Sequence, residues 1–205
     1  MPDARKTVAY YDRNAEAFVS GTLSADMSET RSQFTSLLPA NARILDFGCG
    51  SGRDTKAFLE AGYRAEATDG SHALCEIASA YTGIPVVQAD FRDLDAVERY
   101  DGIWACASLL HLPRADLQDV LRKTEKALKP GGILYLSFKY GSFEGIRDGR
   151  YFTDLTESLL DAFLQTVPSL QKVRLWCTRD VRPDREDTEW LNALLRRIPS
   201  PDASP

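Results

Sequence analysis

Glycines stand at 48, 50 and 52, straight after an apolar run, in the stretch ILDFGCGSGRDT. Glycines so placed let a backbone come close to a nucleotide. A dinucleotide pyrophosphate is cradled by G-x-G-x-x-G, whereas the spacing here is G-x-G-x-G, and an acid, Asp46, precedes the first glycine by two residues. A carboxylate beside the turn repels a pyrophosphate but can accept hydrogen bonds from an ammonium group, directly or through water. Two further acids fall at expected strand ends. Asp69 follows Gly48 by about 20 residues, where it can accept from ribose hydroxyls as in dinucleotide folds. Asp90 could accept from an adenine amino group while Phe91 packs on the ring; helix N-capping is its plain alternative.

These residues need elements to hold them. Residues 5–20 predict one helix with an aromatic face at Tyr10, Tyr11 and Phe18, and a second helix runs from Glu29 to Leu38. ARILDFG suits a buried parallel strand. Strands and helices then alternate: DTKAFLEAGY, RAEATDG, SHALCEIASAYTG, PVVQADF, VERYDGIWACAS, and the long helix RADLQDVLRKTEKALKPGG stopping at Pro130-Gly131-Gly132. ILYLSFKYG leaves into a loop over 142–150, and TDLTESLLDAFLQTV predicts a helix with a capping box at Asp154 and Glu157. The last strand candidates, KVRLWCTRDV and TEWLNALLRRI, have no helix between them and predict an antiparallel edge hairpin. The fold class expected is α/β: a doubly wound, mostly parallel seven-stranded sheet with an antiparallel last strand and helices on both faces. Residues 1–199 read as a single domain, with 1–38 a helical lid, 40–140 a cofactor-binding core, 141–152 a substrate loop and 200–205 a disordered tail.

A ligand with a positive group, a ribose and an adenine but no phosphate fits the three acids, and S-adenosylmethionine is such a molecule. The series ILDFGCGSG, ATDGS, QADFRDL, YDGIWACASLLHL and LKPGGILYLSF also resembles the motifs of class I S-adenosylmethionine-dependent methyltransferases over about residues 40–140. The closer resemblance is to small stand-alone bacterial members that open with a YYDRNAEAF-like helix. It implies methyl transfer from the sulfonium, a cofactor site at Asp46, Gly48, Gly50, Asp69, Asp90 and Phe91, and Arg53 close to the methionine carboxylate. Tyr10, Cys49, Gly70 and Ala107 complete the candidate cofactor set.

The acceptor is less legible, because a fold does not fix a substrate. After the fourth strand the chain has ACASLLHL, without the (D/N/S)-P-P-(Y/F/W) motif of enzymes that methylate DNA-base amines, and no Asp there to hold a divalent metal. A metal-free enzyme with a small-molecule acceptor is expected, and no DNA partner. His111 could act as general base or orient the acceptor, or simply pack at a helix start. Tyr10 and Tyr11 belong to the lid helix, Tyr11 as a second candidate catalytic residue, with core packing the alternative for one of the two. Lys139, Tyr140, Arg147, Arg150 and Tyr151 are the substrate candidates; their cations could bind a carboxylate or phosphate, and a solvated loop is the alternative.

A formal net charge of −5 gives no support for a general nucleic-acid binder. Methylation of a protein or tRNA, a non-catalytic S-adenosylmethionine-binding module and a nicotinamide oxidoreductase are the rival readings, the last disfavoured by Asp46 and the glycine spacing. No apolar stretch approaches the roughly 20 residues of a membrane span, and the early charges oppose a signal peptide, so a cytoplasmic location is expected. Cys49, Cys75, Cys106 and Cys177 form no CxxC pair and are expected as buried free thiols. The sequence says nothing of oligomeric state.

Overall fold

The computed structural model describes residues 4–182, 185 and 187–198, and the tail expected at 200–205 lies outside them. Its sheet has seven strands in the order β3-β2-β1-β4-β5-β9-β8. They are β1 (Arg43–Phe47), β2 (Arg64–Asp69), β3 (Val86–Gln88), β4 (Tyr100–Ala105), β5 (Leu128–Lys139), β8 (Leu170–Arg179) and β9 (Glu189–Arg197), with β6 (Glu144–Arg147) and β7 (Arg150–Thr153) forming a separate hairpin. Strands β1 to β5 pair in parallel, and β9 runs antiparallel between β5 and β8. This is the doubly wound sheet with an antiparallel last strand that the alternation of patterns predicts.

Successive strand residues point to opposite faces, so each central strand feeds two cores. Leu45, Ile103, Leu134 and Leu136 pack with Leu117, Val120 and Leu121 of α6 (Arg114–Ala127) on one face. Ile44, Trp104, Ile133 and Tyr135 pack with Phe34 of α3 (Ser28–Thr35) and Phe58 of α4 (Arg53–Glu60) on the other. Trp104 stacks on Tyr135 with centroids 4.0 Å apart. Both strand faces are therefore buried, which is why these segments read as continuous apolar runs.

Several boundaries differ from expectation. The first helix is two, α1 (Ala4–Arg13) and α2 (Ala15–Thr22), meeting at Asn14, whose side-chain Nδ2 also donates to the Tyr10 carbonyl. Helix α3 ends at Thr35, short of Leu38, and α6 stops at Ala127; Pro130, Gly131 and Gly132 lie inside β5, where a register shift between Tyr100 and Gly102 accommodates them. The 142–150 loop is mostly the β6–β7 hairpin. Its two-residue turn, Asp148-Gly149, has φ of 51° and 77°, the positive pair that a right-twisted hairpin favours. The capping box is not formed: Thr156 caps α7 (Glu157–Leu164) by accepting from the Leu159 amide, and Asp154 is buried and bound by Arg147. Helix α5 spans His72–Thr82. Of the four cysteines, expected buried, only Cys75 is; Cys49 and Cys106 are half-buried and Cys177 is exposed.

Candidate active site

The carboxyl ends of the parallel strands open onto one cavity of about 320 Å³. At its acidic side lies the glycine turn after β1. Gly48 has φ +86°, and a Cβ there would stand 2.5 Å from the Ser108 Cβ and 3.0 Å from the Phe91 ring. Only glycine lets those two side chains close on the turn. Gly50 is covered likewise by Phe18 of α2, so the lid helix touches the turn directly.

Asp69, at the end of β2, accepts from the Gly50 amide through Oδ2 and from the Ser71 amide through Oδ1, each at 2.9 Å. Burial pushes its carboxyl above the usual range against the pull of these amides. Each oxygen keeps a further lone pair for a hydroxyl donor. Asp46 is buried, accepts from Thr55 Oγ1 at 2.5 Å, and is raised to about 7 by burial and then by the Asp54 charge. Arg53 lines the cavity, but its Nε and Nη2 bind Asp54 and its Nη1 reaches the Thr22 carbonyl. Asp90 lines it while capping a short 3-10 turn and holding Arg92 with both oxygens. Phe91 packs edge-on to Phe47 at 4.9 Å. Cys49, Gly70 and Ala107 also line the cavity.

The far side belongs to β5, the hairpin and the end of β8. His111 is half-buried there, with Nδ1 2.7 Å from the Tyr151 carbonyl and Nε2 2.8 Å from the Tyr11 hydroxyl. A carbonyl only accepts, so Nδ1 carries the proton and Tyr11 donates to Nε2. Burial first, and then the Arg150 and Lys139 cations, lower the imidazole to about 4. A folded-state value below the unfolded value of about 6.5 means that the unfolded chain binds the extra proton between these limits, so stability is lost as pH falls through that window. Between pH 7 and pH 5 the wild type should lose about 2 kcal/mol relative to His111→Gln, measured by urea denaturation of both at each pH. Parallel pH profiles would show that His111 is not the neutral group inferred.

Of the five substrate candidates, Lys139 and Arg150 line the cavity. Tyr140 turns outward to Glu157, Arg147 binds Asp154, and the Tyr151 hydroxyl donates to Glu144, so these three do not line it. Tyr10 does not line it either; its ring carries the Arg150 guanidinium at 4.6 Å. Phe18, read from the sequence only as part of an aromatic helix face, lines it, and so do Asp180, Arg182, Trp190 and Asn192, which the sequence did not single out. Asp180 and Arg182 form a closed pair, joined by the Trp190 indole N–H. The signal for them was the rule that sites lie at strand carboxyl ends: β8 runs parallel to β5, so its carboxyl end opens on the same edge.

Residues 44–132, from β1 into β5, match the family model described as a methyltransferase domain. Over those residues the chain is similar to a methyltransferase domain. A ubiquinone biosynthesis O-methyltransferase of Xanthomonas axonopodis pv. citri is 34% identical over 108 residues, 49% of this chain and 44% of that protein. This chain thus spans less than half the length of that relative. The whole domain superposes on a Burkholderia thailandensis 1,6-didemethyltoxoflavin-N1-methyltransferase, crystallised with 1,6-didemethyltoxoflavin and S-adenosylhomocysteine. The TM-score is 0.76 at 22% identity, covering 96% of this chain and 87% of that one. It also superposes on the [4+2]-cyclase SpnF, with TM-score 0.74, 15% identity and 97% of both chains covered. At such identities the chain shares a fold with these two proteins, and one of them carries the name of a different reaction.

Proposed function

We propose that the chain is an S-adenosylmethionine-dependent methyltransferase acting on a small-molecule acceptor. The observation that carries this is the cavity that joins a glycine turn and two carboxylates, the buried Asp46 and the half-buried Asp69, to a separate basic side at Lys139 and Arg150. The donor set fits the cofactor: carboxylates with unused lone pairs suit hydroxyl and ammonium donors and oppose a pyrophosphate. Residues 1–38 act as the lid, 40–140 as the cofactor core and 141–152 as the acceptor hairpin of one domain over 1–199.

Asp69 would hold the ribose hydroxyls and Asp46 the ammonium, with Asp90 and Phe91 at the adenine and Arg53 near the carboxylate. S-adenosylmethionine, when bound, supplies a methyl group on a cationic sulfur. The chain's part is then to set the acceptor in line with that methyl, which is where most of the rate gain lies. Tyr11 and Phe18, on the two lid helices, exclude water from the junction of the two sides. Tyr11 Oη donates its hydrogen bond to His111 and keeps a lone pair that can orient an acceptor O–H or N–H. His111 is a weak base, since its protonation would place a third cation beside Arg150 and Lys139.

No helix among the described residues is long and apolar enough to cross a membrane, and a cytoplasmic location agrees with the composition. Calorimetric titration with S-adenosylmethionine or S-adenosylhomocysteine tests the cofactor, and absence of binding at millimolar ligand would sink the proposal. Conversion of S-adenosylmethionine to S-adenosylhomocysteine across a metabolite library then separates methyl transfer from a non-catalytic binding module. Bulk tRNA tested by filter binding at two salt concentrations separates the macromolecular alternative.

A further inference from the structure

Three cations surround one buried aromatic ring on the basic side of the cavity. Lys139 Nζ lies 4.5 Å, Arg150 Cζ 5.1 Å and Arg147 Cζ 5.3 Å from the centroid of Phe152. The neighbouring carboxylate, Asp154, is bound at 2.7 Å through Oδ2 by Arg147 alone among the described residues, where its Oδ1 has no hydrogen-bond partner. Among the described residues neither Lys139 nor Arg150 makes an ion pair; Glu144 is taken by Arg114 and Tyr151, and Asp180 by Arg182. The Arg150 Nε is buried without a hydrogen-bond partner, and its Nη1 reaches only the Tyr11 hydroxyl at 3.5 Å. Burial and the Arg147 charge hold the Lys139 ammonium below its usual range.

Like charges held together in a part-buried site repel and lose hydration, so the arrangement is unfavourable unless an anion completes it. Ring contacts attract the cations but do not remove the excess charge. The cavity is also electrically divided. Asp46, Asp69 and Asp90 stand at the ends of β1 to β3, and Lys139 and Arg150 come from β5 and β7 on the other half of the edge. A cationic methyl donor on the first side leaves the second for a molecule of opposite sign.

We propose that the methyl acceptor is a small conjugated organic acid, bound as its anion with the negative charge between Lys139 and Arg150 and its flat body against Phe152 and Trp190. This rests on the methyl-donor reading of the acidic side. The chain presents no strong base at the junction, because the only imidazole there already accepts from Tyr11. Two cations beside the acceptor do that work another way, by favouring its ionised form on binding.

The test uses the full chain in two calorimetric titrations: S-adenosylhomocysteine alone, then salicylate or salicylamide into protein saturated with S-adenosylhomocysteine. The first reads the donor side by itself, so a failure there overturns the cofactor reading, and a failure confined to the second overturns only the anionic acceptor. Salicylate should bind about 10-fold or more tighter than salicylamide, which has the same shape without the charge. Lys139→Met and Arg150→Met should each weaken salicylate about 10-fold, with S-adenosylhomocysteine affinity unchanged. Thermal midpoints of both variants without ligand should hold or rise, because each removes an unpaired cation; a clear fall would mark a structural role and count against the proposal. Equal affinity for the two probes, no salicylate binding at millimolar concentration, or indifference to both substitutions would overturn it.

Discussion

Replacing Asp69 by Asn should weaken S-adenosylhomocysteine binding by roughly 30- to 150-fold, the equivalent of about 2–3 kcal/mol for hydrogen bonds to a charged acceptor. The carboxylate sits at the end of β2, with each oxygen already held by one backbone amide, from Gly50 and from Ser71. That aims the remaining lone pairs into the cavity without any rotamer freedom to be lost on binding. The Asn side chain keeps one oxygen for one amide, but its NH₂ faces the other amide donor and can no longer accept from a hydroxyl. The fold should survive. Burial already raises the Asp69 carboxyl, so the charge is a cost to the empty protein, and its removal offsets the lost turn contact. Calorimetry for affinity, paired with urea denaturation for stability, separates the two effects. Unchanged affinity would remove Asp69 from the site; a collapse of stability would make it a turn-forming residue instead.

The acidic half of this site was legible because it rests on local sequence. A glycine turn after a strand, followed by an acid at the end of the next strand, fixes the geometry within one β-α-β unit. The sheet was legible for the same reason, since period and punctuation are local signals. The basic half is assembled from parts far apart in the chain, β5, the β6–β7 hairpin and the end of β8, and no spacing reports such contacts. Even so, one local signal was passed over. Asp148-Gly149 between Arg147 and Arg150 is a strong two-residue hairpin turn, and its pleat fixes which side chains share a face. That alternation separates Arg150 from Tyr151, so only the first of them lines the cavity. Asp90 shows a different limit. Its N-cap role and its place on the cavity wall are both realised, so the two readings of that acid were never exclusive.

The largest loss of stability from a single substitution should follow Asp54→Ala, at about 3–5 kcal/mol, as expected when one member of a buried charged cluster is removed. Asp54 Oδ1 accepts from Arg31 Nη1 at 2.6 Å and Arg53 Nε at 3.0 Å; Oδ2 accepts from Arg53 Nη2 at 2.6 Å and the Trp104 indole N–H at 3.0 Å. Burial pushes this carboxyl upward, but Arg53 and Arg31 outweigh it and hold it below the usual range. The cluster joins α3, which carries Arg31, to the start of α4 and to β4, under the glycine turn. Its loss strands two guanidinium groups and a buried indole N–H at once. At roughly 2–4 °C per kcal/mol for a chain of this size, the thermal midpoint should fall by about 6–20 °C. A second readout ties the cluster to ligand binding. The Asp54 charge is, after burial, what raises Asp46 to about 7, so in the variant the Asp46 titration followed by carboxyl NMR should move down. An Asp46 that titrates lower is more fully ionised at neutral pH and a better partner for an ammonium group. The variant should therefore be less stable as empty protein while gaining more stability from bound S-adenosylhomocysteine than the wild type does. A loss under about 1 kcal/mol would mean that Arg31, Arg53 and Trp104 find other partners, and an unmoved Asp46 would mean that burial alone sets its protonation.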